Sequence, residues 1–168
     1  KDVLKVGVVE YGYLSAAPAV GAVIAALVIS QIKELRKQGI LFLGAVVVFG
    51  FATIVFGATT SFLIAWIAIA TTGAADGVST IIRNTIRQLQ TPDYIRGRMT
   101  SINQIFFQGG PQLGEIEAGS VAQLFGAPFA VITGGIGCVL GTFFIIWKWP
   151  HLMKYNGDEP MLAGATAD

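Results

Sequence analysis

The sequence predicts an all-α protein, a polytopic transmembrane helix bundle with five spans. Hydrophobic residues make up 54% of its 168 residues. Charged residues make up only 12%, against roughly 25% in ordinary soluble domains. The apolar residues are gathered in four long runs, and most lysines and arginines lie in the links between or after them. These observations together predict an integral membrane chain.

Each of the four apolar runs is long enough to cross a membrane as one helix. An α-helix needs about 20 residues to cross a hydrocarbon layer of ~30 Å, because it rises about 1.5 Å per residue. The runs cover residues 11–31, 39–56, 62–82 and 127–149. The third helix is expected to continue to residue 88.

The positive charges predict a fifth, more polar span over residues 100–124. Cytoplasmic loops of membrane proteins carry an excess of Lys and Arg. Basic residues follow the first, third and last runs, whereas the link 57–61 and the stretch 99–126 have none. These basic clusters share one face only if residues 100–124 cross the membrane. The N-terminus is then external, and the polar tail 155–168 is cytoplasmic.

The predicted fifth span has two polar faces. Intervals of four, four and three residues place one set on a single face: Gln104, Gln108, Gln112 and Glu115. The second face holds Asn103, Gly110, Gly114 and Glu117. Gly110 and Gly114 are candidates for close helix packing. So polar a helix must face other helices or water, because unsatisfied polar groups are costly in lipid.

The third span carries a matching polar face, made of Thr72, Asp76, Thr80, Arg83 and Arg87. Asp76 and Arg83 are two turns apart, about 10 Å along the helix axis. We therefore expect no direct contact between these two without help from another helix. Gly73 and Gly77 on this span are further candidates for helix packing.

Ionisable residues inside a bilayer are functional hypotheses by default. The candidates for binding substrate or a proton are Asp76, Glu115, Glu117, Gln108 and Gln112. Asp76 and Glu115 are expected to face the bundle interior. The alternative is a structural role, with each side chain held by an arginine or by backbone donors. Gating or structural charges are expected at Arg83, Arg87, Arg96 and Arg98, where long side chains reach the membrane surface.

The sequence gives no support to an enzyme. It has no phosphate-binding glycine loop beside a Lys-Ser or Lys-Thr pair, and no cluster of cysteines and histidines. Cys138 fits a packing role, and His151 has no second ligand nearby. We expect no metal and no cofactor. A net charge of +1 also gives no reason to expect nucleic acid.

Several segments, in the right order, resemble the C-terminal half of major facilitator superfamily transporters. Residues 90–98 (QTPDYIRGR) resemble the cytoplasmic loop between helices 10 and 11 of the enterobactin-exporter-like branch, which includes macrolide-efflux-like members. Residues 112–119 (QLGEIEAG) resemble that branch's helix 11, although Phe is usual at position 116. The other similar segments are 16–21 in helix 8, 134–137 in helix 12, and 149–152 just after it.

The resemblance runs from residue 2 to about 152 and implies a partial major facilitator fold. It implies proton-coupled efflux of a small amphipathic or siderophore-like molecule across a bacterial inner membrane. Such transporters hold substrate between two halves, so helices 8 to 12 alone cannot perform alternating access. The link 31–39 also lacks the Asp-Arg-x-Gly-Arg gate motif of the family.

A second hypothesis belongs to another class. The chain could be a transporter-derived structural subunit of a larger membrane complex, without transport activity of its own. The expected partners are membrane lipid and either the missing N-terminal half or other membrane subunits. A small-molecule substrate is expected only for an intact transporter.

Overall fold

The computed structural model describes residues 7–32 and 37–155, and these form five long α-helices. The helices are α1 (Val8–Ser30), α2 (Gln38–Ala58), α3 (Phe62–Gln90), α4 (Arg96–Phe125) and α5 (Ala127–Lys148). Two 3-10 turns, Asp93–Ile95 and Pro150–Lys154, precede α4 and follow α5. The described part of the chain has no β-strand. The predicted all-α fold is confirmed. The predicted tail lies outside the described residues except for Tyr155.

Four helices have the length and composition of membrane spans. Mean hydropathy is 2.0 for α1, 2.6 for α2, 1.4 for Phe62–Gln88 of α3 and 2.2 for α5. Large apolar side chains are exposed on their outer surfaces, including Leu27, Val48, Phe51, Leu140 and Phe143. Such surfaces are stable in lipid and costly in water. The protein is therefore an integral membrane protein.

Small residues bring the helices close together. Helix α3 packs against α1 and α2, and α2 packs against α5. At the α1–α3 contact, a Cβ added to Gly21 would overlap the backbone of Ala70. At the α2–α5 contact, a Cβ added to Gly135 would lie 2.8 Å from the carbonyl oxygen of Gly50. Close backbone approach of this kind holds helices together in membranes, where lipid removes the hydrophobic driving force.

Helices α2 and α5 are antiparallel. Gly39, at the start of α2, contacts the backbone of Leu152, which follows the end of α5. Gly57, near the end of α2, contacts Ile132, near the start of α5. The two pairs therefore mark opposite ends of the bundle.

Helix α4 connects these two ends. Its first three turns border the same cavity as Gly39 and Leu152, whereas its last residue leads through Gly126 directly into α5. It has 30 residues, enough for about 45 Å of helix. This geometry supports the predicted fifth span. Hydropathy alone does not select α4 as a span, because the helix is too polar.

A single residue, Gly126, separates α4 from α5. Its φ of 91° and ψ of 153° lie in a region that residues with a side chain rarely adopt. The chain can therefore pass from one helix to the next with no loop. Pro128 follows in the first turn of α5, a position where a missing backbone N–H costs no helical hydrogen bond.

The lysines and arginines of the described residues all lie at one end of the bundle, which we call the basic end. The basic end consists of the start of α2, the end of α3, the start of α4 and the end of α5. Its basic residues are Lys37, Arg83, Arg87, Arg96, Arg98, Lys148 and Lys154. By the positive-inside rule, we expect this end to face the cytoplasm.

Candidate functional site

The polar face of α3 is organised around Arg83. Its Nη2 atom lies 3.6 Å from Oδ1 of Asp76 and donates a hydrogen bond of 3.1 Å to the hydroxyl of Thr80. Its Nε atom donates to the carbonyl oxygen of Ser79 at 3.4 Å. The guanidinium is therefore fixed by three partners on its own helix.

The expectation that Asp76 and Arg83 make no direct contact is wrong. Seven residues complete nearly two turns, so both side chains lie on the same face. Helical side chains lean toward the N-terminus, and Arg83 is the C-terminal member of the pair. Its long side chain therefore reaches back along the axis and closes a gap that the backbone distance alone leaves open.

Arg83 also links α3 to α4. Its Cζ atom lies 5.3 Å from the ring centre of Phe107 on α4, within the range of a cation–π interaction. The two helices otherwise have little contact, because α4 packs mainly against α5 and the 3-10 turn at 93–95. The Arg83–Phe107 contact is thus a bridge between the two polar helices.

A cavity of about 870 Å³ lies at the basic end, between these helices and α2 and α5. Its volume is in the range of small-molecule sites, roughly 300–1,000 Å³. The polar residues that line it include Thr80, Arg83, Asn84, Arg87, Thr100, Asn103, Gln104 and Gln108. The apolar and aromatic residues include Phe42, Leu43, Ile86, Phe107, Ile145, Leu152 and Tyr155. The cavity is therefore amphipathic, and its described lining includes two arginines and no acidic residue.

The other predicted basic residues have different surroundings. Arg87 lines the cavity and donates a hydrogen bond of 2.9 Å from Nη2 to Oδ1 of Asn84. Arg96 donates to the carbonyl oxygens of Gln88 and Thr91 at 3.5 Å, which ties the start of α4 to the end of α3. Arg98 is exposed and does not line the cavity.

The predicted substrate and proton candidates are only partly brought together. Gln108 lines the cavity beside Arg83 and Arg87, and Asp76 is joined to it through Arg83. The others, Gln112, Glu115 and Glu117, lie further along α4 on an exposed surface.

Asp76 and Glu115 do not face the interior of these five helices. The Asp76 side chain is 63% exposed, and Glu115 is also exposed. None of the described side chains of α4 is buried. A role in an enclosed site for either carboxylate remains a prediction, and it requires further protein to cover α3 and α4.

The four predicted packing glycines divide into two pairs. On α3, Gly73 lies against the backbone of Pro18 and Gly77 lies beside Ala22, both on α1. On α4, a Cβ at Gly110 or Gly114 would have no neighbour within 4 Å. The glycine face of α4 is open in this chain, so close packing at Gly110 and Gly114 stays a prediction.

Phe107 and Asn84 border the cavity, although no sequence pattern described above includes them. Phe107 lies three and four residues after Gln104 and Asn103, so helical spacing alone places it on the same side of α4. A pattern of polar residues leaves out its aromatic ring, although the ring lies on that side. Among residues 7–32 and 37–155, no group of three His, Cys, Asp or Glu could hold a metal ion.

Comparison with known proteins identifies a family and a relative of the chain. The family model described as transmembrane secretion effector matches residues 1–158. The chain is 25% identical over 156 residues to the enterobactin exporter EntS of Citrobacter koseri. This alignment covers 93% of the chain but 38% of the exporter, so the chain spans well under half of that relative. No solved structure matches the chain.

The family match covers nearly the whole chain, and the helical fold agrees with it. The resemblance found in the sequence is therefore confirmed at the level of the family. The chain belongs to the transmembrane secretion effector family of the major facilitator superfamily.

Proposed function

We propose that this chain forms the C-terminal part of a proton-coupled exporter in a bacterial cytoplasmic membrane. The substrate is a small amphipathic molecule, and the polar surface of α3 and α4 forms part of its path. The family supports transport rather than catalysis. The name of the relative, an enterobactin exporter, supports outward transport of a small molecule.

The observation that carries this proposal is the Asp76–Arg83 pair within an apolar bundle. Charges at membrane depth are costly and mark functional sites by default. An Asp76 held by Arg83 also fits the structural alternative, so the transport test below decides between the two. The arginine of this pair, Arg83, also contacts the ring of Phe107 on α4. A proton on Asp76 would remove half of the pair and change how α3 and α4 are held together.

Glu115 is the second candidate for the proton. It lies on α4 on the same face as Gln108 and Gln112, and it is exposed in this chain. In an intact transporter, substrate and coupling ions bind near the midplane between the two halves. An open polar surface on α4 is the kind of surface that such a site requires.

The test is transport by the natural polypeptide in proteoliposomes. A pH gradient is imposed, and uptake is measured for two probes: enterobactin, named in the relative, and ethidium, an amphipathic cation. Asp76→Asn and Glu115→Gln keep side-chain shape while removing the acid. We expect at least one variant to lose proton-driven accumulation while keeping exchange of the probe between equal concentrations.

Glu10→Gln is the matched control. Glu10 is an exposed carboxylate at the start of α1, where it accepts a hydrogen bond from the backbone N–H of Gly7, and glutamine can keep that bond. It should transport like the wild type. Unchanged coupling in both Asp76→Asn and Glu115→Gln would exclude these carboxylates as proton carriers. A wild-type protein that moves neither probe, yet purifies with stoichiometric membrane partners, would favour the structural-subunit hypothesis.

A further inference from the structure

The cavity at the basic end has an unbalanced positive charge. Among residues 7–32 and 37–155, two arginines and no acidic residue line it. Arg83 has Asp76 at 3.6 Å. Arg87 has no ion pair within the described chain; its guanidinium donates one hydrogen bond, to Asn84. Because a guanidinium carries several N–H donors in a planar fork, most of those on Arg87 are left for a ligand.

The rest of the lining is suited to an amphiphile. Amide side chains at positions 84, 103, 104 and 108 add hydrogen-bonding groups to the arginines. Phe42, Leu43, Ile145 and Leu152 supply an apolar surface in the same cavity. The volume of about 870 Å³ is far larger than a phosphate ion needs. A ligand that fills this space has an anionic head and an apolar body.

The position of the cavity indicates where such a ligand comes from. It lies among the ends of α2, α3, α4 and α5 at the basic end, which is the depth of lipid headgroups if that end is cytoplasmic. Little contact exists between α3 and α4, so the helices do not close the cavity between them. Basic pockets between transmembrane helices on the cytoplasmic side are a known type of anionic-headgroup site.

We propose that this cavity binds an anionic phospholipid of the cytoplasmic leaflet. Arg87 holds the phosphate in a bidentate arrangement, and Arg83 adds a second positive charge. The glycerol and upper acyl chains lie against Phe42, Leu43 and Ile145. The bound lipid joins α3 to α4, which are otherwise bridged by the Arg83–Phe107 contact and by the hydrogen bonds of Arg96. This site does not depend on whether the protein transports a substrate.

Native mass spectrometry of the natural polypeptide tests this proposal. Phosphatidylglycerol and phosphatidylcholine with identical acyl chains are titrated separately into protein freed from lipid by detergent. Wild-type protein should prefer phosphatidylglycerol, and Arg87→Gln should weaken its binding about tenfold, the effect of one strong charge-assisted contact. Binding of phosphatidylcholine should not change. Arg87→Lys should keep part of the preference, because it keeps the charge but not the planar fork.

Arg98→Gln is the matched control, since Arg98 is an exposed arginine of the basic end outside the cavity. It should bind phosphatidylglycerol like the wild type. Equal binding by wild type and Arg87→Gln, or an equal loss in Arg98→Gln, would overturn the proposal.

Two further measurements keep the test decisive. Ile145→Trp narrows the apolar part of the cavity without changing charge and should also weaken phosphatidylglycerol binding. If Arg87→Gln does not fold, unchanged binding by Ile145→Trp contradicts the proposal. Soluble glycerol phosphate separates the two sources of a phosphate group. Displacement of phosphatidylglycerol by similar concentrations of glycerol phosphate would mean a free-anion site and would overturn the lipid assignment, whereas failure to displace it supports the lipid.

Discussion

The guanidinium of Arg83 lies 3.6 Å from the carboxylate of Asp76, two turns earlier on α3. The same guanidinium lies 5.3 Å from the ring centre of Phe107 on α4. One side chain therefore neutralises an acid on its own helix and contacts the neighbouring polar helix. Any change in the charge of Asp76 alters the balance between these two contacts.

Removing both charges of this pair should lower stability by less than the sum of the losses from removing each charge alone. Asp76→Asn or Arg83→Gln alone leaves an unpaired charge. We expect each single variant to lower the thermal unfolding temperature of the detergent-solubilised protein. The double variant should fall by less than the sum, with a coupling on the order of 0.2–1 kcal/mol, as for exposed ion pairs. Strictly additive changes would show that the pair contributes nothing to stability.

Gly126→Ala should destabilise the junction of α4 and α5. The φ of 91° and ψ of 153° at Gly126 strain any residue with a Cβ, at a cost of about 1–3 kcal/mol. Gly119→Ala is the control, because Gly119 is helical and a Cβ there meets nothing within 4 Å. It should be neutral or slightly stabilising, since alanine is the better helix former. Equal thermal stability of the two variants would contradict the assigned backbone geometry.

Gly114→Leu should destabilise the natural polypeptide if further protein covers α4. Overpacking at a close helix contact costs about 1–3 kcal/mol. Gly44→Leu is the control: Gly44 is also exposed with no neighbour within 4 Å, but it lies beside the exposed apolar residues Leu41 and Val48 on α2. We expect it to behave like the wild type in thermal unfolding. A Gly114→Leu variant as stable as the wild type would mean that this glycine face stays open.

Sequence reasoning located the helices well for a physical reason. Bilayer thickness sets the length of an apolar run, so the predicted ends of α1, α2, α3 and α5 lie within three residues of those observed. Helix α4 required a different signal, the one-sided distribution of basic residues. Its polarity removes it from any selection by hydropathy.

Sequence reasoning failed where side-chain reach and tertiary contact decide the result. Helix rise alone overestimates the Asp76–Arg83 separation, because it leaves out the backward reach of a long arginine. The packing contact of Gly21 with Ala70, and that of Gly50 with Gly135, depend on which helices become neighbours. The sequence of one helix does not show which other helices it will pack against. The cavity depends on the same choice, because four helices contribute to its lining.

We expect α4 to cross the membrane and to place its polar face beside α3. Cysteine labelling at the two ends of α4 tests it most directly, in a protein whose native Cys138 is replaced by alanine. Thr59→Cys, in the link between α2 and α3, reports the external side. Arg98→Cys and Phe125→Cys report the start and end of α4. An impermeant maleimide added outside intact cells should label positions 59 and 125 and should reach position 98 only after the membrane is opened. Labelling of positions 98 and 125 from the same side would contradict the fifth span and, with it, the path proposed between α3 and α4.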